Sequence, residues 1–123
     1  MSKKLAKAIR AEGWDRRLED AVSVITSSGP TDGANPDVAA VCEAIAATVG
    51  VTVKPRGKNA KAFVASLDPV NRFSARRGDI GLVFFEGRYS LGVVSGTGLV
   101  VRMPEGASIF PLADIEQAYK IGV

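Results

Sequence analysis

The sequence predicts a single α+β domain in which N-terminal helices pack on a small, curled antiparallel sheet or barrel. Two observations predict this class. Residues 1–67 are mainly helical in pattern, whereas residues 75–123 consist of short apolar segments separated by glycine-containing turns. A length of 123 residues is that of one domain, and it is sufficient to bury a hydrophobic core.

Apolar residues recur at helical spacing through the first half of the chain. Four helices are predicted, over residues 2–12, 14–25, 36–49 and 59–67. The third is alanine-rich and apolar, which predicts a central, buried helix. Its start is indicated by Asn35 as N-cap and Pro36 at the first helical position, and Gly50 ends it. Residues 27–34 are small and turn-forming and predict a loop.

The second half is rich in Val, Leu, Ile and Phe and predicts an antiparallel meander. Strands are predicted over residues 79–85, 90–95, 99–103 and 108–111. Turns are expected at residues 86–88 and 96–98, and Arg88 and Arg102 near them are interpreted as exposed strand-end charges. Residues 111–119 predict a short C-terminal helix of a turn or two.

Composition excludes several classes of protein. The chain has one cysteine and no histidine, so no internal disulfide and no cysteine or histidine metal site is expected. No apolar run approaches the roughly 20 residues that span a bilayer, so membrane insertion is not expected. We predict no cofactor and no metal, and we expect the chain to fold in a cytoplasm.

The net charge of +3 is unevenly distributed. A basic segment that contains Lys54, Arg56, Lys58 and Lys61 is a possible partner-contact surface, either for phosphates or for an acidic protein. A merely solvated surface is the alternative. Nucleic acid is possible but not favoured, because the aromatic residues that single-strand binders expose are expected here in the core or the barrel. These are Phe63, Phe73, Phe84, Phe85 and Phe110.

The sole thiol is poorly placed for catalysis. A nucleophilic cysteine is typically found at a helix N-terminus with a base in reach. Cys42 lies two turns into the third helix, on the same face as Val38 and Ile45, which predicts a small buried hydrophobe. No serine occurs in a Gly-x-Ser-x-Gly turn, and no histidine is present to act as its base.

Five segments of the chain resemble a small, phage-encoded branch of the NlpC-type cell-wall cysteine peptidases, a papain-like superfamily. The segments are residues 14–18, 37–50, 77–80, 91–96 and 111–115. The most telling are Arg-Gly-Asp before an apolar strand and Leu-Gly-Val before a glycine turn. The resemblance implies a papain-like fold for most of the chain.

The resemblance also implies where catalytic residues would lie, and those positions are degenerate. The nucleophilic cysteine of active members opens the central helix, where this chain has Asp37. Their histidine opens the second strand, where it has Ser90. A polar orienting residue usually follows on the next strand, where it has Val100 and Val101. No enzymatic activity is therefore expected, although the fold can persist without it.

These considerations predict a non-enzymatic structural or assembly protein of a bacteriophage virion, in the tail or tail tip. Its partners would be other virion proteins, with several copies of the chain in a symmetric assembly, and it would occupy the host cytoplasm during assembly. Two alternatives remain open. One is a cell-wall hydrolase or amidase with an unconventional centre, and the other is a basic nucleic-acid-binding or regulatory phage module.

Overall fold

The computed structural model describes residues 2–55 and 57–123. It is a mixed α+β structure in which helices precede and pack against an open antiparallel sheet. The α-helices are α1 (Ser2–Lys7), α2 (Trp14–Ser27), α3 (Pro36–Val49) and α4 (Ala60–Val64). Short 3₁₀ turns cover Arg72–Ser74 and Leu112–Asp114. The predicted α+β class is confirmed.

The bounds of α3 agree with the prediction from its terminal residues. Pro36 lies in its first turn, and Gly50 ends it with φ of 73°, a left-handed conformation that glycine adopts without strain. Asn35 precedes the helix as expected but does not cap it with its side chain. Instead, Asn35 Nδ2 donates to Lys58 O at 2.8 Å, so this side chain joins the start of α3 to the basic segment.

The other helices differ from prediction mainly in length. Helix α1 ends at Lys7, and beyond it Ala11 N donates to Thr48 O at 2.9 Å. Helix α2 matches closely, and its buried residues Leu18 and Ile25 face α3 and the sheet. Helix α4 is shorter than predicted.

The sheet has six strands in the order β1-β6-β2-β3-β4-β5. The strands are β1 (Pro69–Val70), β2 (Ile80–Phe85), β3 (Arg88–Ser95), β4 (Gly98–Met103), β5 (Gly106–Phe110) and β6 (Gln117–Tyr119). Strands β2 to β5 form the predicted meander, with each strand antiparallel to the next. The sheet is open, with β1 and β5 at its edges, so of the two predicted forms, a curled sheet or a barrel, the structure has an open sheet.

The helical turn or two predicted over residues 111–119 is present only in part. Only Leu112–Asp114 form a helical turn, and β6 follows it. Strand β6 pairs with both β1 and β2, placing Ala118 opposite Val70 and Gly81. The pairing on both sides provides backbone hydrogen bonds that outweigh the weak helical pattern of so short a segment.

Both faces of the sheet are covered. On one face, α3 and α4 pack against β2 and β3 around a core that includes Ile45, Phe63, Ile80 and Leu91. On the other face, Val83, Leu99 and Val101 cluster with Ile115 and Ala118 of the C-terminal segment.

The aromatic residues divide between the core and the surface. Phe63 is buried as predicted and Phe110 is half-buried. Phe73 is exposed and lies outside the sheet, so the prediction for it is wrong, whereas Phe84 and Phe85 are exposed residues of the sheet and not of the core. Phe84 and Phe85 lie at the end of β2, where they make edge-to-face contacts with Tyr89 and Phe110, respectively.

Candidate functional site

Asp37 lies in the first turn of α3 and is nearly fully buried, with 3% of its surface exposed. Its Oδ2 accepts a hydrogen bond from the backbone N–H of Leu91 in β3 at 2.9 Å. Its Oδ1 is also buried and has no hydrogen-bond partner among the described residues. The carboxylate therefore links the helix to the sheet through one oxygen and leaves the other unpaired.

Ser90 is adjacent to that link, and it too is buried, with 2% exposed. It lies in β3 opposite Val83. Asp37 and Ser90 both line one cavity of about 140 Å³. The structure thus brings together the two positions that the resemblance implies are degenerate catalytic positions.

The remaining polar side chains of this cavity carry both signs of charge. Glu86 and Glu105 are exposed residues of the β2–β3 and β4–β5 turns, and Arg88 is the exposed first residue of β3. Arg102 also lines the cavity, but it donates to the backbone carbonyls of Gly29 and Met103. Its interpretation as an exposed strand-end charge is wrong, since the long side chain reaches back to the loop after α2 and is 9% exposed.

The chemistry of this cavity differs from that of a thiol or serine hydrolase. Asp37 supplies a carboxylate at the position where the resemblance implies a nucleophile, and the chain has no histidine to serve as the base. Val100 and Val101 are buried apolar residues, so neither can orient a base through a hydrogen bond. What the cavity offers is a hydrogen-bond acceptor in buried surroundings.

Cys42 lies in the core rather than at this cavity. It packs in the cluster of α3 with Val38 and Ile45, as predicted, and is 5% exposed. Burial, with a smaller contribution from the Glu43 carboxylate, raises the pKa of the Cys42 thiol to about 11. The thiol is therefore overwhelmingly protonated at neutral pH, which is unfavourable for a nucleophile.

The basic segment lies on the surface, and its last lysine contacts Tyr89, which precedes Ser90 in β3. Lys54, Lys58 and Lys61 are exposed, and Lys61 Nζ lies 4.6 Å from the centre of the Tyr89 ring. Arg56, the fourth residue of the predicted contact surface, lies outside the described residues. The lysines are thus available to a partner.

An ion-pair network that the sequence analysis did not identify lies beside the sheet. Arg10 and Asp79 form a buried ion pair of 3.3 Å, with side chains 4% and 3% exposed. Asp79 Oδ1 also accepts from Ile121 N, and the Arg10 guanidinium donates to Ile121 O. Burial and, to a smaller extent, repulsion from Arg76 lower the pKa of Arg10, whereas attraction to the Asp79 carboxylate raises it. The Arg-Gly-Asp sequence thus has a structural role, with Asp79 holding the C-terminal segment.

A wider apolar groove of about 420 Å³ lies between α2, α3 and the loop over residues 27–34. Val24, which is 66% exposed, lines it together with small residues such as Ala21 and Ala40. Arg102 lines both this groove and the Asp37 cavity, so the two depressions are neighbours.

In the part of the chain that the structure describes, no group of three or more His, Cys, Asp and Glu residues is arranged to hold a metal ion. None of the helices described for residues 2–55 and 57–123 has both the length and the apolar character needed to cross a membrane.

Comparison with known proteins gives one assignment. No curated protein matches the chain. One family model matches residues 53–121, from the basic segment to the end of the C-terminal segment, so the match includes Ser90 and the Arg-Gly-Asp turn but begins after Asp37. The match covers more than half of the chain, which therefore belongs to the family described as a domain of unknown function, DUF6950.

Proposed function

We propose that this chain is a catalytically inactive relative of the NlpC-type papain-like peptidases that serves as a structural or assembly protein of a bacteriophage virion, in the tail or tail tip. The observation that carries the proposal is the hydrogen bond from Leu91 N to Asp37 Oδ2. The helix position where the resemblance implies a nucleophile instead holds a carboxylate that joins α3 to β3.

The environment of the second degenerate position supports the same view. Ser90 is buried beside Leu91 and shares its cavity with Asp37, and the chain has no histidine to activate the serine hydroxyl. When a protein loses its catalytic chemistry but keeps its fold, the catalytic pair is expected to be replaced while the surrounding residues stay packed.

The sheet edge at β5 supports assembly from several copies. No other strand pairs with the outer side of β5 in the described part of the chain, and the strand carries no charge or proline within it. If two copies paired antiparallel about Ser108, Gly106 would face Phe110 and Ala107 would face Ile109. Each small residue would thus oppose a large one, so the strand is complementary to itself.

Contacts with other virion proteins would use surfaces that remain accessible. Lys54, Lys58 and Lys61 suit an acidic partner, and the groove under the loop over residues 27–34 suits an aliphatic side chain. In this account the chain is present in the host cytoplasm during assembly and afterwards in the virion.

Mass spectrometry of purified virions, from the phage that encodes the chain, tests the proposal. The chain is expected in the particle in several copies per virion, and it should remain after washing with high salt. Its absence from purified particles, with detection in the infected-cell lysate, would refute a virion role.

A nucleic-acid-binding role is the second candidate, because Phe73 is 67% exposed and the Arg72 guanidinium lies 5.0 Å from the centre of its ring. Exposed aromatic and basic residues together are typical of single-strand binders. A gel-shift assay with single-stranded DNA at low and moderate salt distinguishes the two roles, since phosphate-driven binding must weaken steeply as salt rises.

A further inference from the structure

Arg102 is a buried cation that makes no ion pair among the described residues. It is 9% exposed, and its guanidinium donates to the backbone carbonyls of Gly29 and Met103, which are neutral acceptors. No carboxylate of the described residues lies within 4.0 Å of it. A buried charge is normally paired with an opposite charge, because burial removes its hydration. Arg102 therefore lacks the counter-ion that the buried Arg10 has in Asp79.

The guanidinium of Arg102 also has N–H donors to spare. A guanidinium has five N–H donors, and the two carbonyls use one on each terminal nitrogen, so three have no acceptor among the described residues. Among the buried and half-buried residues described, Asp37 Oδ1 is the one side-chain oxygen or nitrogen that is both closed to solvent and unpartnered. Arg102 Nε, which has no partner either, is therefore not closed to solvent. A carboxylate that approaches it meets donors suited to a paired hydrogen bond.

The carboxylates around Arg102 act on it only at longer range. Arg102 lines the groove between α2 and α3, where Glu43 is an exposed residue whose charge is screened by water. In the adjoining cavity, Asp37 is bonded through Oδ2, and its Oδ1 is closed to any other donor. The other charged residues of that cavity are exposed and of both signs, namely Glu86, Arg88 and Glu105. These charges moderate the potential at Arg102 but provide no acceptor for its free N–H groups.

The groove itself is mostly apolar and is large enough for a branched aliphatic group. Its volume is about 420 Å³, and Val24, which lines it, is 66% exposed. An aliphatic occupant would cover this side chain and remove it from water. The Thr31 hydroxyl, which accepts from Gly33 N, also lines the groove and retains its own hydrogen for an acceptor. An apolar groove that contains one buried cation is complementary to a carboxylate on an aliphatic group.

We propose that this groove binds the C-terminal residue of a partner polypeptide, with the terminal carboxylate accepting from Arg102 and an aliphatic side chain lying against Val24. A C-terminal Val, Leu or Ile carries both groups on one carbon atom, whereas an Asp or Glu side chain brings a carboxylate without the aliphatic group. That the partner is a virion protein rests on the proposed function. Binding of the carboxylate by the isolated chain does not.

Titration of the isolated protein with N-acetyl-leucine, followed by NMR, tests the site. The reporters are the Nε–H signal of Arg102 and the backbone amides of Val24 and Ala40, which line the groove. For so small a ligand, saturation is expected at about millimolar concentrations. N-acetyl-leucinamide has the same side chain but no charge, so it should bind at least about tenfold more weakly. Equal affinities for the acid and the amide, or no shift of Arg102 Nε–H with the acid, would overturn the proposal.

Two substitutions of groove residues locate the binding. Arg102→Gln removes the charge, so affinity for N-acetyl-leucine should fall at least about tenfold, whereas affinity for N-acetyl-leucinamide should change less than about twofold. Glu43→Gln removes an acid that repels the ligand, so it should raise affinity for the acid by up to about twofold. Unchanged affinity in Arg102→Gln would refute the site. Because Arg102 also holds Gly29, the wild-type comparison of acid and amide decides the matter if that variant does not fold.

A free alkyl carboxylate is the other source of the same chemistry, and hexanoate distinguishes it. Hexanoate has the charge and an aliphatic chain but lacks the amide group of a C-terminal residue, so it should bind more weakly than N-acetyl-leucine. Tighter binding of hexanoate would assign the groove to a free acid and overturn the C-terminal source. These titrations use the isolated chain, so their failure is distinct from absence of the chain from purified virions.

Discussion

The Asp37 carboxylate and the Leu91 backbone are joined by a hydrogen bond of 2.9 Å between residues 54 positions apart in the sequence. It connects the first turn of the central helix to the second strand of the meander. Because Asp37 is 3% exposed, this bond is shielded from water, and the residue acts as part of the fold.

Replacing Asp37 tests that role. Asp37→Ala leaves the Leu91 N–H buried without an acceptor and should lower the free energy of unfolding by about 1–3 kcal/mol. Asp37→Asn can still accept the hydrogen bond from Leu91 N, so it should lower the free energy of unfolding by less than Asp37→Ala does. Urea denaturation monitored by circular dichroism measures both variants. Equal stability of wild type and Asp37→Ala would show that the bond does not support the fold.

Loss of the Asp79 carboxylate should lower the free energy of unfolding more than loss of the Asp37 carboxylate. Asp79→Ala leaves the Arg10 guanidinium buried without its carboxylate and should cost about 3–5 kcal/mol in unfolding free energy. The matched control is Glu19→Gln, because Glu19 pairs with Arg77 at 3.0 Å but is 67% exposed. That change should cost less than about 1 kcal/mol. Similar losses in the two variants would contradict the assignment of Asp79 as the anchor of the C-terminal segment.

Burial of Cys42 predicts a pH dependence. Burial raises the pKa of the Cys42 thiol from its ordinary value of 9.0 to about 11 in the folded chain, so the unfolded chain releases the thiol proton at lower pH. The contribution of the protonated thiol to stability is complete below pH 9 and is lost as pH rises toward 11. Between pH 9 and pH 11 the melting temperature should therefore decline less in Cys42→Ala than in the wild type.

The same burial predicts slow modification. Iodoacetamide at pH 8 should label Cys42 in the unfolded chain much faster than in the folded chain, because both access and the thiolate fraction are reduced by folding. Equally rapid labelling in both states would mean that Cys42 is accessible and ionised, contrary to its place in the core.

The β5 edge predicts a concentration-dependent association. Ile109 is 53% exposed on this strand, and Ile109→Lys should abolish self-association by placing a charge at the edge. Ile109→Thr is the control, since threonine is also β-branched and uncharged, and it should retain more of the association. Sedimentation velocity over a range of concentrations measures both. A wild-type chain that stays monomeric at the highest concentration would refute pairing through β5.

Local signals in the sequence predicted the elements that depend on nearby residues. Pro36 and Gly50 fix the ends of α3 through backbone conformation, so its bounds follow from the sequence alone. The meander follows from short apolar segments and glycine turns. Strand β6 does not, because a strand of three residues is defined by its partners in β1 and β2 rather than by its own pattern.

The candidate site was also predicted only in part, because some of its contacts join residues that are far apart in the sequence. The resemblance indicated Asp37 and Ser90, and both line one cavity. The buried position of Arg102 was not predicted, since it depends on the carbonyl of Gly29, 73 residues away. The Arg10–Asp79 pair likewise joins residues 69 positions apart, and nothing in the local sequence of either residue indicates its partner.

The central claim is that a structural carboxylate has replaced catalytic chemistry at the start of α3. The most direct measurement is the release of soluble fragments from purified peptidoglycan by the wild-type chain, with Asp37→Asn and Cys42→Ala in parallel. We predict release no greater than in buffer for all three proteins. Release by the wild type that either substitution abolishes would contradict the account.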